Sequence, residues 1–201
     1  MGLVTTGSSS TWYAVTTDEA VLHARIDTSA DNSAIQMMLK AAETAAEISM
    51  NRRIGPCSFS WTFESFSTAT DKNDVLTMPR SPVRAATTGS VIAYYDTAGT
   101  SQILASTSYR VDNSCEPALI KLRDPHSWPD IVDDRLDAVV ITYQSGYAGT
   151  IAVPENIKMG ILQTFSHWYE NREITAQGAV VREIPKTAEW LFNMSKVALA
   201  H

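Results

Sequence analysis

Only two cysteines occur in 201 residues, Cys57 and Cys115, and neither belongs to a C-x-x-C pair. That removes the thiolate sets that structural zinc and thioredoxin-like redox sites require, so two reduced thiols in a cytoplasmic chain are expected. Glycine is sparse, and no glycine-rich phosphate loop, G-x-S-x-G elbow or H-E-x-x-H pair is present. No run approaches the roughly 20 consecutive apolar residues of a membrane span. The opening MGLVTTGSSSTWY carries neither the basic nor the apolar region of a secretory leader. Cationic charge is also short: 16 Lys and Arg against 22 Asp and Glu leave a net charge of -6. Such a chain has no field to hold phosphates at physiological salt, and tight DNA binding is not expected.

What is present suffices for a core, since 44% of the residues are hydrophobic. Residues 1–15 read as a flexible, Ser/Thr-rich arm. Thr16 and Glu19 have the spacing of a capping box, which opens a short helix ending near Arg25. A second helix follows from Asp31–Ser33 to about Asn51. On its wheel Ile35, Met38, Leu39, Ala42, Ala45 and Ala46 share a face that Met37, Ala41 and Ile48 extend. Gln36, Lys40, Glu43, Thr44 and Glu47 are left on a narrow polar arc. More than half of this helix therefore wants cover, from an inserted sheet or from a neighbouring subunit.

After Gly55-Pro56 the period drops to two, with Cys57, Phe59, Trp61 and Phe63 alternating with polar residues, the pattern of a half-buried strand. Further strands are expected at 75–78, 91–95, 102–104, 109–111, 118–122 and 138–143, with a hairpin loop at Asp96 to Gly99. Pro79, Pro82, Pro117, Pro125 and Pro129 punctuate this region, which suits short antiparallel strands rather than a parallel sheet. Pro154 and Glu155 open a third helix, and a last one is expected from Lys186 to Leu199. The fold class is α+β: a helical module formed by N- and C-terminal helices (16–54 and 153–201) with an inserted small antiparallel β-sandwich or partial barrel (55–152).

Three clusters look chemical. His167 and Glu170 have the i,i+3 spacing of helix-borne metal ligands, but both point away from the apolar face and no second Glu-x-x-His exists to complete a bridged site. Asp124, His126 and Asp130 crowd the loop DPHSWPD; a hydrolase could be imagined there, but the expected reading is a turn built by two prolines, with Trp128 pinning the loop to the sheet. In the last helix Trp190, Met194 and Val197 form one stripe with Leu191 beside it, which is expected to face the home core. Phe192 is then left as an exposed aromatic suited to a partner. No catalytic, cofactor-binding or metal-binding residue is assigned, and the chain is not expected to be an enzyme.

Several stretches in order along the chain resemble the head-to-tail connector (adaptor) proteins of long-tailed bacteriophages and related prophages. These are TTDEAVLHARID, IQMMLKAAETAAEISMNRRI, MPRSPV, YYDTAGT, the isolated WP at 128–129, VVITYQSGY, and above all VPENIKMGILQTFSHWYENRE. The resemblance implies a structural protein of the virion neck, made in the host bacterial cytoplasm. It implies a homo-oligomeric, dodecameric ring that binds the portal protein above and the next neck or tail-completion (stopper) protein below. Double-stranded DNA would pass through its channel without tight or specific binding, and no membrane or cofactor is involved. Portal contacts are then expected from Trp190, Leu191, Phe192, Met194, Val197 and Leu199, and subunit contacts from Met37, Ala41, Ile48, His167 and Glu170. The competing expectation is a tail-associated β-sandwich that binds a carbohydrate or host surface, which would need exposed, adjacent aromatic platforms.

Overall fold

A computed structural model describes residues 2–8, 12–26, 32–84, 91–149, 152–171 and 184–198. The chain divides into two compact units, one from residues 11–54 and 147–197 and the other from 1–10, 55–146 and 198–201.

In the helical unit, α1 (Thr17–Ala24) starts at the capping box: Thr16 Oγ1 accepts from Glu19 N, and Glu19 Oε2 accepts from Thr16 N at 2.7 Å. Arg25 ends it in the left-handed region at φ 52°. Helix α2 (Asn32–Met50) buries Ile35, Leu39, Ala42, Ala46 and Met50. Helix α4 (Glu155–Glu170), with Pro154 as its N-cap, buries Ile157, Ile161, Thr164 and Phe165. Helix α5 (Lys186–Asn193) completes the set and buries Ala188 and Phe192. These apolar faces, with Ala14, Val15 and Ile54, form one core.

Two expectations are corrected here. Phe192 is fully buried, whereas Trp190 and Met194 are 65% and 63% exposed, so these two members of the stripe assigned to the core face out while Val197 stays buried. The cause lies on another helix: α4 carries Gly160, and a Cβ there would stand 2.4 Å from Phe192 Cε1. The ring occupies the space that any other residue would fill. Glu43, expected on the polar arc of α2, is 2% exposed. It sits at i+4 from Leu39 and i−3 from Ala46, on the core side of the wheel, and its charge is met by Lys40.

Helix α5 also stops before Leu199. Carbonyls at its end and just beyond it are taken by other segments: Asn156 Nδ2 donates to Leu191 O (3.0 Å), and Arg52 Nε donates to Ser195 O (2.9 Å). Val197 N then donates to Met50 O at 2.9 Å, tying the segment to the end of α2.

The β unit is an α+β insertion in which every strand pairing is antiparallel. A five-stranded sheet has the order β1 (Gly2–Ser8), β2 (Cys57–Phe63), β8 (Val139–Ser145), β4 (Val91–Tyr95), β5 (Ser101–Ile103). A three-stranded sheet has the order β3 (Val75–Thr77), β7 (Leu119–Leu122), β6 (Tyr109–Asp112). Phe59, Trp61, Ile141 and Tyr143 from the first share one core with Leu76, Tyr109 and Ile120 from the second. The result is a small open sandwich, and neither sheet closes into a barrel. A short helix α3 (Phe66–Ala69), capped by Ser65, was not foreseen; its Phe66 stacks on Trp128 at 4.5 Å and holds the DPHSWPD loop.

Residues 2–8, expected as an arm, form the edge strand β1, paired with β2 from Gly2↔Thr62 to Ser8↔Cys57. The hairpin at 96–99 forms as expected: Asp96 Oδ1 accepts from Ala98 N and Thr100 N, and Gly99 takes φ 76°. MPRSPV and VVITYQSGY lock together. The prolines of the first stretch have no N–H to donate to a ladder, so the stretch pairs through its carbonyls, and the second supplies donors: Tyr143 Oη to Pro79 O at 2.6 Å, Ser145 Oγ to Arg80 O and Pro82 O, and Gly146 N to Pro82 O.

Candidate functional site

The clusters that looked chemical are dispersed. Asp124, His126 and Asp130 are all exposed at the surface of their loop, and His126 N donates to Arg123 O as part of a turn. On α4, His167 is half-buried and Glu170 is exposed; the C-cap Asn171 donates to His167 O at 2.7 Å. Among the described residues no group of three or more His, Cys, Asp or Glu side chains could hold a metal ion. No helix among them is long and apolar enough to cross a membrane. Trp61 is 3% exposed and packs on Phe63 in the core, so it offers no platform to a sugar.

Exposed apolar side chains are spread over several elements, Leu22 and Leu136 among them, and two helices each carry a group of them. On α2, Met37 (75%), Ala41 and Ile48 (74%) are exposed and recur at spacings of 4 and 7, along one side of the helix. The charged residues of this helix do not guard that side. Lys40 Nζ turns to Glu43 Oε1 (3.2 Å), the Trp12 carbonyl (3.1 Å) and the Tyr13 ring. Glu47 accepts from Ile54 N (2.7 Å) and Arg53 Nη1 (2.8 Å). On α5, Trp190 and Met194 stand one turn apart on the exposed side, flanked by exposed Lys186. Leu191 is half-buried and Val197 is buried with Phe192, while Leu199 and Arg172 lie outside the described residues.

The α5 surface is held rigidly. Phe192 fills the Gly160 notch, Asn156 bonds both Leu191 O and Ser195 Oγ (2.8 Å), and buried Arg52 links Ser195 O to Tyr147 Oη (2.8 Å). Sequence reasoning missed these positioning residues because each acts across more than thirty positions.

Glu43 gives the helical unit a pH dependence of unusual sign. Burial pushes its carboxyl above the ordinary value, and Lys40 and the Ala14 amide only partly oppose this. For an acid with a raised folded value, the folded chain holds the proton more tightly, so stability falls as pH rises through the window above the ordinary value. Asp71, Asp96, Asp112 and Asp137 are held below theirs by hydrogen bonds and act oppositely, losing their contribution on acidification. Replacing Glu43 with Gln should therefore be neutral or stabilising by roughly 1 kcal/mol at pH 7, with less benefit near pH 4.5, measured by urea unfolding at both values. A larger loss at pH 7 than at pH 4.5 would contradict this sign.

The described geometry thus defines a class: an α+β protein whose helical unit is interrupted by an antiparallel sandwich and whose notable surfaces are apolar contacts. Comparison with solved structures agrees at the level of fold. A chain in the neck of an empty GTA particle with C6 symmetry superposes with a TM-score of 0.75 at 21% identity, covering 100% of this chain and 98% of that one. A chain of the native gene transfer agent (GTA) virion gives 0.74 at 20% identity with the same coverage. A chain in the native GTA neck with C12 symmetry gives 0.66 at 20% identity, again over 100% and 98%. No protein-family model and no curated protein matches the chain.

Proposed function

We propose that this chain is a structural protein of a phage-like particle neck, a head-to-tail connector (adaptor) whose copies form a ring beneath the portal. The observation that carries this reading is the end-to-end likeness to neck chains of GTA particles, which spans both units and leaves almost nothing of either chain unmatched. The C12 symmetry of one such neck supports a ring of twelve copies. In this reading the chain works by binding free energy alone, without catalysis, metal or cofactor. The net charge of -6 suits a channel through which DNA slides without being held.

Each exposed surface then has a partner. Trp190 and Met194, with Leu191 beside them, dock on the portal. Phe192 and Val197, first considered as contacts too, serve instead as the buried anchors that fix α5. Met37, Ala41 and Ile48 of α2, with His167 and Glu170 of α4, meet the neighbouring copy, and the next neck protein binds the opposite rim of the ring.

Deleting residues 186–201 would not test portal docking cleanly, because it also strips Phe192 and Val197 from the helical core. The double substitution Trp190→Glu with Met194→Glu does. Both side chains are exposed, so stability should change by less than about 0.5 kcal/mol each. Co-purification with the portal should fall by roughly 30-fold or more, as loss of an aromatic anchor does. Undiminished portal attachment by a folded double variant would remove the assignment of α5.

A further inference from the structure

Residues 12–15 form neither helix nor strand, yet Ala14 is fully buried and Val15 nearly so. The backbone of this segment finds partners on side chains of α2. Lys40 Nζ donates to Trp12 O at 3.1 Å and stands 5.4 Å from the centre of the Tyr13 ring. Glu43 accepts from the Ala14 amide and pairs with Lys40 at 3.2 Å. Two side chains one turn apart thus hold residues 12, 13 and 14 against the helix.

The carboxyl is the unexpected part of this clamp. Glu43 is 2% exposed, on the core side of the wheel between Leu39 and Ala46, and acids are almost never buried so deeply unless paired. Its counter-charge, Lys40, reaches solvent and is shared with Trp12 O. A glutamine there would accept from the Ala14 amide without burying a charge. The other charged groups of the unit leave Glu43 to Lys40. Glu47, on the same helix, opposes the charged form and is engaged by Ile54 N and Arg53. Asp18, Glu19 and His23 of α1 and Lys186 and Glu189 of α5 are exposed. On α4, Lys158 is turned to Glu155, and His167 lies beside Asn171 at the helix end.

We infer that Glu43 and Lys40 form a proton-sensitive clamp, which holds residues 12–14 on α2 tightly while the Glu43 carboxyl is protonated and opens more often once it is ionised. Closed, the carboxyl is out of water; open, it is solvated. The closed form therefore binds the proton more tightly, and rising pH above the ordinary carboxyl range favours opening. The closed-to-open ratio changes by up to about tenfold for each unit by which burial separates the two forms. Opening uncovers Trp12 and Tyr13, which pack on the helical core when the clamp is closed. It is a local event, with a lower free energy than unfolding of the whole unit.

The test is amide hydrogen exchange of the full chain, with each rate corrected for the base-catalysed intrinsic rate. Between about pH 5 and about pH 8 the Ala14 amide, which donates to Glu43, should lose about tenfold in protection. The amide of buried Ile161 in α4 should change less over the same range. Glu43→Gln should keep Ala14 protected at both ends, and Lys40→Gln, which removes the counter-charge, should steepen the fall. Protection at Ala14 that stays constant or rises with pH would overturn the inference. So would the same fall in Glu43→Gln, which would assign it to another group, or an equal fall at Ile161, which would make it unfolding of the whole unit.

Discussion

Replacing Phe192 with Ala should lower the stability of the helical unit by about 3–5 kcal/mol, the largest effect of any single truncation in α5. The ring is fully buried and fits a notch that exists only because residue 160 is glycine. The lost contacts leave a cavity on a helix backbone, which cannot collapse to fill it. Trp190, two residues earlier and larger, should cost less than about 0.5 kcal/mol when cut to Ala, because it is 65% exposed. The same socket can be closed from its other side. Gly160→Ala gains about 1 kcal/mol of helix propensity but sets a methyl 2.4 Å from the ring, and overpacking of this kind costs about 1–3 kcal/mol. The variant should be destabilised with Phe192 present and should recover when Phe192 is also reduced to Leu. Urea unfolding of the four combinations followed by circular dichroism measures this; equal losses for Phe192→Ala and Trp190→Ala would contradict it.

Replacing Arg52 with Ala should cost about 3 kcal/mol. The residue is 7% exposed, and its guanidinium donates to Ser195 O at 2.9 Å and to Tyr147 Oη at 2.8 Å. Hydrogen bonds from a charged donor contribute about 1.5–3 kcal/mol each, and their removal leaves a carbonyl and a phenol without that donor. Arg52→Lys should recover only part of the loss, since a single ammonium on a flexible stem cannot reproduce the planar fork. A loss below about 1 kcal/mol for Arg52→Ala would mean that Asn156 and the Val197–Met50 bond hold α5 without it. In the proposed reading Phe192 and Arg52 present Trp190 and Met194 from a fixed position, so that ordering the helix would not be a cost of docking.

Much of this arrangement can be read in the sequence where the signal is local. The capping box of Thr16 and Glu19, the period-two run of Cys57 to Phe63 and the Asp96–Gly99 turn each act within a few residues, and the structure follows them. Strand β1 was hidden because GLVTTGS has no apolar alternation: Val4 faces outward, only Leu3 packs against the core, and the strand is held by backbone pairing with β2. In α5, two turns carry an aromatic on opposite sides, and nothing within them says which is inside. The deciding residue is Gly160, on a different helix. Glu43 was misplaced by its charge although its wheel position was on the core side, since its compensation by Lys40 and the Ala14 amide is visible only after folding.

Of the exposed apolar surfaces, the α2 stripe was legible because an excess of apolar residues on a helix needs no partner to be counted. Met37, Ala41 and Ile48 are exposed as that excess requires. The α5 surface was legible as a place but not as a set of side chains.

Cross-linking mass spectrometry on purified particles from the source of this sequence tests the central claim most directly. The exposed Lys186 and Lys196 flank the Trp190 and Met194 surface. The account requires links from these lysines to the portal protein, together with links between copies of this chain. Links to a tail-tip or host-binding component with none to the portal, or absence of the chain from particles, would contradict it.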